Sequence, residues 1–158
     1  MRCATTSRRR SRTAASRKRP RGSRAGCAGS CARGFSTVTE LPLLDGRRAD
    51  VVALNAEGAL LIVEIKSSVA DFRADHKWRD YAAHCDRLYF AISAEIPVEI
   101  MPEDAGLIVA DPYGAEILRE ASPRLIAPAT RRAVLLRFAQ AAADRLHRLA
   151  DPGGAPEF

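Results

Sequence analysis

No acidic residue precedes Glu40, and no Val, Ile, Leu, Phe, Tyr or Trp precedes Phe35 in this chain of 158 residues. Residues 1–34 instead hold eleven basic side chains, ten Arg and Lys18. A segment with so little apolar surface cannot offset the entropy of ordering, so 1–34 is expected to be a disordered basic tail. The lack of an apolar stretch after the arginines excludes a secretory signal. A composition of Arg, Ser, Ala, Gly and Pro is shared by transit peptides, by nucleic-acid arms and by the product of a wrong start or shifted frame in a GC-rich gene. The tail also distorts the charge. Of 25 Lys and Arg, 14 remain after residue 34 against all 19 acids, a net of −5. The whole-chain +6 is therefore no argument for a basic binding surface on the folded part.

Cysteine is scarce as well. Cys3, Cys27 and Cys31 lie in the tail and Cys85 stands alone. No second Cys or His pair accompanies them, which excludes a zinc site and fits free thiols in a reducing cytoplasm. No apolar run approaches the ~20 residues that cross a bilayer, and no internal repeat occurs. The expectation is one cytoplasmic domain over residues 35–150 with no membrane partner, and a disordered C-terminus over 151–158.

What is present begins at Phe35. "FSTVTELPLL" has the β-branched and aromatic content of a strand, and "DGR" at 45–47 is a turn. "ADVVAL" and "ALLIVEI" follow as strands across "NAEG", giving an antiparallel meander. Ser68 with Asp71 three residues on starts a helix. Val69, Phe72, Trp78, Tyr81, Ala82 and Cys85 continue its apolar stripe. "RLYFAIS" is then a buried strand reached by a helical crossover. "GLIVAD" and "AEILRE" flank a turn at 112–114 as a small β-hairpin. Leu135, Phe138, Ala139, Ala142, Leu146 and Leu149 line a C-terminal helix that stops at "DPGG". The order is α/β with a mixed sheet.

A turn centred on Glu57 makes opposing residues sum to about 114, which sets Asp50 against Glu64. Such Cβ atoms lie ~4.5–5.5 Å apart. Lys66 shares the face of Glu64 because strand side chains alternate. Two like charges directly opposite are destabilising unless a cation lies between them. A divalent metal held by oxygen ligands would supply one, with the lysine placed to hold or polarise a water. The plainer alternative is that Arg47, Arg48 and Lys66 pair with these acids at a solvated strand end.

The acid on the second strand followed by "EIK" on the third resembles the PD-(D/E)XK nuclease superfamily, the restriction-endonuclease-like fold. More closely, "GRRADVVAL", "IVEIKSS", "DFRADHKWRDY", "HCDRLYFAI", "GLIVADPYGAEILRE" and "PATRRAVLLRFA" resemble the MmcB family of bacterial DNA-repair proteins over residues 36–150. That resemblance implies a DNA-repair protein that hydrolyses phosphodiester bonds. Asp50 and Glu64 would hold Mg²⁺ or Mn²⁺, and Lys66 would orient the attacking water. Lys77 and Tyr81 resemble the Q-x-x-x-Y helix motif of RecB-like nucleases, with Lys in place of Gln, and with Arg48 are the expected DNA contacts. Glu40 is an additional acid or a solvent-facing alternate residue. His76 and His84 lack a third ligand and are expected at the surface or on DNA. Trp78 is expected in the core. DNA and other repair proteins are the implied partners. The alternative is a non-catalytic repair factor that keeps the fold. Two departures stand out: Ala49 replaces the superfamily's proline, and no helix pattern precedes the first strand. The core is therefore expected to lack one layer, which favours a faulty N-terminus.

Overall fold

The computed structural model describes residues 34–153 except 76 and 112. The expectations for residues 1–33, for His76 and for 154–158 lie outside the described residues, as does one residue of the hairpin turn. Strands β1 (Phe35–Pro42), β2 (Arg48–Asn55), β3 (Leu60–Lys66), β4 (Arg87–Ile92), β5 (Gly106–Ala110) and β6 (Ala115–Arg119) form one sheet in chain order. β1, β2 and β3 run antiparallel, β4 and β5 each join in parallel, and β6 turns back antiparallel. This is the meander, crossover and fourth strand that the restriction-endonuclease-like resemblance implies. The small hairpin extends the same sheet and is not a separate unit.

The β2–β3 turn fixes the register. Gly58 has φ +83°, a conformation glycine adopts without steric cost, and its N–H donates to the Asn55 carbonyl at 3.1 Å. Val51 then pairs with Val63 and Val52 with Ile62, the spacing expected for a turn at Glu57.

Alternation divides the sheet into two packed faces. Val52, Leu60, Ile62, Leu88, Phe90 and Ile92 point into the larger core, and Val51, Val63, Tyr89 and Ile108 into the smaller. The crossover between β3 and β4 departs from the single helix expected. It comprises α1 (Val69–Ala74), α2 (Trp78–Tyr81) and a 3-10 turn at Ala82–His84. Ser68 caps α1 by accepting the Asp71 N–H at 3.0 Å, and Asp71 answers by accepting the Ser67 N–H at 3.0 Å. Trp78 is in the core as expected, edge-on to Phe90 at 5.5 Å between ring centroids.

Among the described residues helical side chains enter only the larger core, and the segment before the first strand, on which the expected missing layer rests, lies outside them. Helix α3 (Pro128–Ala150) joins α1 and α2 on that face, burying Val134 and Phe138 in the cluster that also holds Leu41 and Leu43. Of the face expected, Phe138 is buried and Leu135 and Ala142 pack against the core, whereas Ala139, Leu146 and Leu149 are exposed. Arginines occupy the inward side instead. Arg131 donates to the Gly58 carbonyl at 2.9 Å and pairs with Asp86, Arg137 reaches the Leu43 carbonyl at 3.2 Å, and Arg145 bonds Thr39. No helix among the described residues is long and apolar enough to cross a membrane.

Candidate active site

One step beyond the Val51–Val63 pair, Asp50 lies opposite Glu64 on the larger-core face. The Asp50 N–H donates to Glu64 Oε1 at 3.2 Å, and Asp50 Oδ2 accepts the Ile65 N–H at 2.9 Å. Each carboxylate is thereby tied to the backbone at the other. Glu64 is only 3% exposed. Burial, reinforced by the Asp50 charge, pushes its carboxyl up to about 8, although the Asp50 N–H and Lys66 pull the other way.

Lys66 is 6% exposed, and its Nζ is 2.5 Å from Asp75 Oδ2 and 5.9 Å from the centroid of the Phe90 ring. Arg48, Asp50, Glu64, Lys66, Asp75 and Tyr81, with Ile65, Asp71 and Ala74, line a cleft of about 360 Å³. Burial and the acids Glu64, Asp75 and Asp50 push the Tyr81 phenol up to about 12, so it presents a neutral hydroxyl to the cleft. Four carboxylates and two cationic side chains meet in this small volume.

Glu40 occupies the matching position on β1, because Thr39 pairs with Val51 and Leu41 with Ala49. Glu40, Asp50 and Glu64 thus stand in one row across three strands. Glu40 has φ +52°, the left-handed region that a non-glycine residue enters at a cost, and its Oε2 is 2.5 Å from Arg48 Nε. Arg48 links this acid to the cleft.

The structure brings Arg48, Asp50, Glu64, Lys66 and Tyr81 together and leaves Lys77 apart. Lys77 is exposed at the start of α2 and does not line the cleft. His84 is not at the surface: it is buried, with Nε2 3.4 Å from Asp45 Oδ2. Of the cations, Arg47 pairs with Asp45 and Asp80, Arg48 with Glu40 and Lys66 with Asp75. Asp75 is a cleft residue that the sequence reading missed. Nothing in its local pattern marks it, since it faces Lys66 only once α1 ends at Ala74. Among the described residues no three His, Cys, Asp or Glu side chains are grouped so as to hold a metal ion.

A solved protein of unknown function from Silicibacter pomeroyi is 43% identical, with TM-score 0.80, covering 87% of this chain and 94% of its own. A repair endonuclease from Pyrococcus abyssi is 14% identical, with TM-score 0.37, covering 54% of this chain and 42% of its own. No curated protein matches the chain. The family described as DNA repair protein MmcB-like matches residues 2–153. The chain belongs to the MmcB-like DNA repair protein family.

Proposed function

We propose that this DNA-repair protein is a metal-dependent deoxyribonuclease, with Asp50 and Glu64 as ligands of Mg²⁺ or Mn²⁺. The observation that carries the reading is the Asp50–Glu64 pair, tied together across the ladder with Lys66 on the same face of one cleft. The donor set fits a hard divalent cation, which prefers carboxylate oxygen. The charge fits as well: four acidic side chains face Arg48 and Lys66 in the cleft, and burial with the Asp50 charge makes Glu64 hold its proton up to about 8, a place a cation can take. A bound divalent ion supplies Lewis acidity and lowers the pKa of a coordinated water.

The protein's own groups do the rest. Lys66 orients the attacking water and stabilises the negative charge that develops on the phosphate. Tyr81 stays protonated and donates its hydroxyl to a phosphate oxygen at the cleft wall. Arg48 and the exposed Lys77 provide further phosphate contacts, and Glu40 acts through Arg48 as the additional acid. The cofactor is Mg²⁺ or Mn²⁺, DNA is the substrate, and other repair proteins are the expected partners.

One observation favours a second reading, a non-catalytic repair factor that retains the fold: no three acidic, His or Cys side chains of the described residues form a metal cluster. Incubation with plasmid, single-stranded and branched DNA in Mg²⁺, Mn²⁺ or chelator separates the two. Metal-dependent cleavage of any of them supports the nuclease, and intact DNA under every condition supports the factor.

A further inference from the structure

We infer that Asp75 is a positioning residue that holds the Lys66 ammonium at its working place in the cleft. The inference deepens the nuclease reading and rests on the role given there to Lys66. Asp75 is fixed from three directions. Its N–H donates to the Phe72 carbonyl at 3.1 Å, its Oδ1 accepts the Lys77 N–H at 3.3 Å, and its Oδ2 meets Lys66 Nζ at 2.5 Å. It stands in the break between α1 and α2. One carboxylate therefore bonds the backbone of Lys77 just ahead of α2 and anchors the lysine on β3.

The need for an anchor follows from the lysine itself. Its ammonium ends a flexible four-carbon stem with rotatable donors. Glu64 lies on the same face of β3 two residues away, with Asp50 opposite it. An unanchored ammonium would fold onto that pair and compete with a divalent cation for its oxygens. Asp75 gives it a third acid to bond, on the part of the cleft wall formed by the crossover. The Phe90 ring beneath, 5.9 Å from Nζ, fills the space through which the stem could otherwise swing.

Asp75→Asn keeps the shape and the oxygen that accepts the Lys77 N–H but removes the charge that holds Lys66. The variant is expected to lower kcat at least tenfold while KM stays within twofold. In a Lys66→Ala background the same change should produce no further loss, because Asp75 acts through Lys66. Losses that simply multiply, or a change in KM alone, would overturn the inference.

A second readout needs no cleavage. The chain has three lysines, Lys18, Lys66 and Lys77. An amine-acylating reagent followed by mass spectrometry is expected to modify exposed Lys77 readily and Lys66 slowly in the parent. Asp75→Asn should speed modification of Lys66 several-fold and leave Lys77 within twofold. Unchanged Lys66 labelling contradicts the anchor. If the parent cleaves no DNA, the nuclease reading fails while the labelling still decides the place of Lys66. If Asp75→Asn does not fold, Asp75→Glu takes its place. It is expected to lower kcat at constant KM and to speed Lys66 labelling, and parent-like values in both overturn the inference.

Discussion

Asp50 and Glu64 clasp one another across the β2–β3 ladder, the backbone of Asp50 donating to Glu64 while the side chain of Asp50 accepts from Ile65. The clasp sets two carboxylates side by side with one of them almost fully buried. That arrangement stores an electrostatic cost in the metal-free protein, and the cost makes the site testable without any DNA.

The cost should appear as a pH dependence. Glu64 has a folded pKa of about 8 against an ordinary 4.5, so the folded chain binds its proton more tightly than the unfolded chain does. Its contribution to stability is full below pH 4.5, falls as pH rises, and is lost above about 8. One pKa unit is worth ~1.36 kcal/mol, so the loss is of the order of a few kcal/mol. Denaturant unfolding of metal-free protein between pH 5 and 8.5 should show that decline, and Glu64→Gln should flatten most of it. An unchanged slope in the variant would remove Glu64 as its source.

Divalent metal should reverse the cost. Mg²⁺ or Mn²⁺ at 100 times its dissociation constant would stabilise the fold by ~2.7 kcal/mol through mass action. Asp50→Asn should abolish the shift in Tm and leave the metal-free protein as stable as the parent or more so. A parent protein whose Tm ignores millimolar metal would count against ligands at Asp50 and Glu64.

The partly packed stripe of α3 makes a separate prediction about the fold. Phe138 is buried against the core, so Phe138→Ala should cost ~3–5 kcal/mol. Leu149 is exposed on the same helix, and Leu149→Ala should change stability by no more than ~0.5 kcal/mol. Equal losses at both positions would mean that the stripe read from the sequence packs along its whole length.

That stripe shows why some features were legible and others were not. The hairpin register could be read because a short turn and two apolar runs of similar length leave one pairing that buries Val52, Leu60 and Ile62 together. The placement of Asp50 against Glu64 followed from it. Helix α3 was legible in its first part, where Leu135, Phe138 and Ala142 of the apolar stripe meet the core. Hydropathy also carried the stripe on to Leu146 and Leu149, which are exposed, while Val134 and three arginines take inward places, Arg131, Arg137 and Arg145 bonding the carbonyls of Gly58, Leu43 and Thr39. Those bonds join residues far apart in sequence, and a guanidinium counts as polar in any hydropathy pattern. Asp75 escaped for the same reason: its value lies in Lys66, which only the break between α1 and α2 brings within reach.

Lys66 is expected to serve turnover and not DNA affinity. Losing a group that stabilises developing charge typically costs ~2.7–4 kcal/mol, or about 10²–10³ in rate, whereas ground-state affinity rests on dispersed phosphate contacts. The most direct measurement compares parent and Lys66→Ala for cleavage in Mg²⁺ and for DNA dissociation constant in Ca²⁺ at one salt concentration. Cleavage is expected to fall by about 10²–10³ with a dissociation constant changed less than about threefold. A Lys66→Ala protein that cleaves as fast as the parent would contradict it.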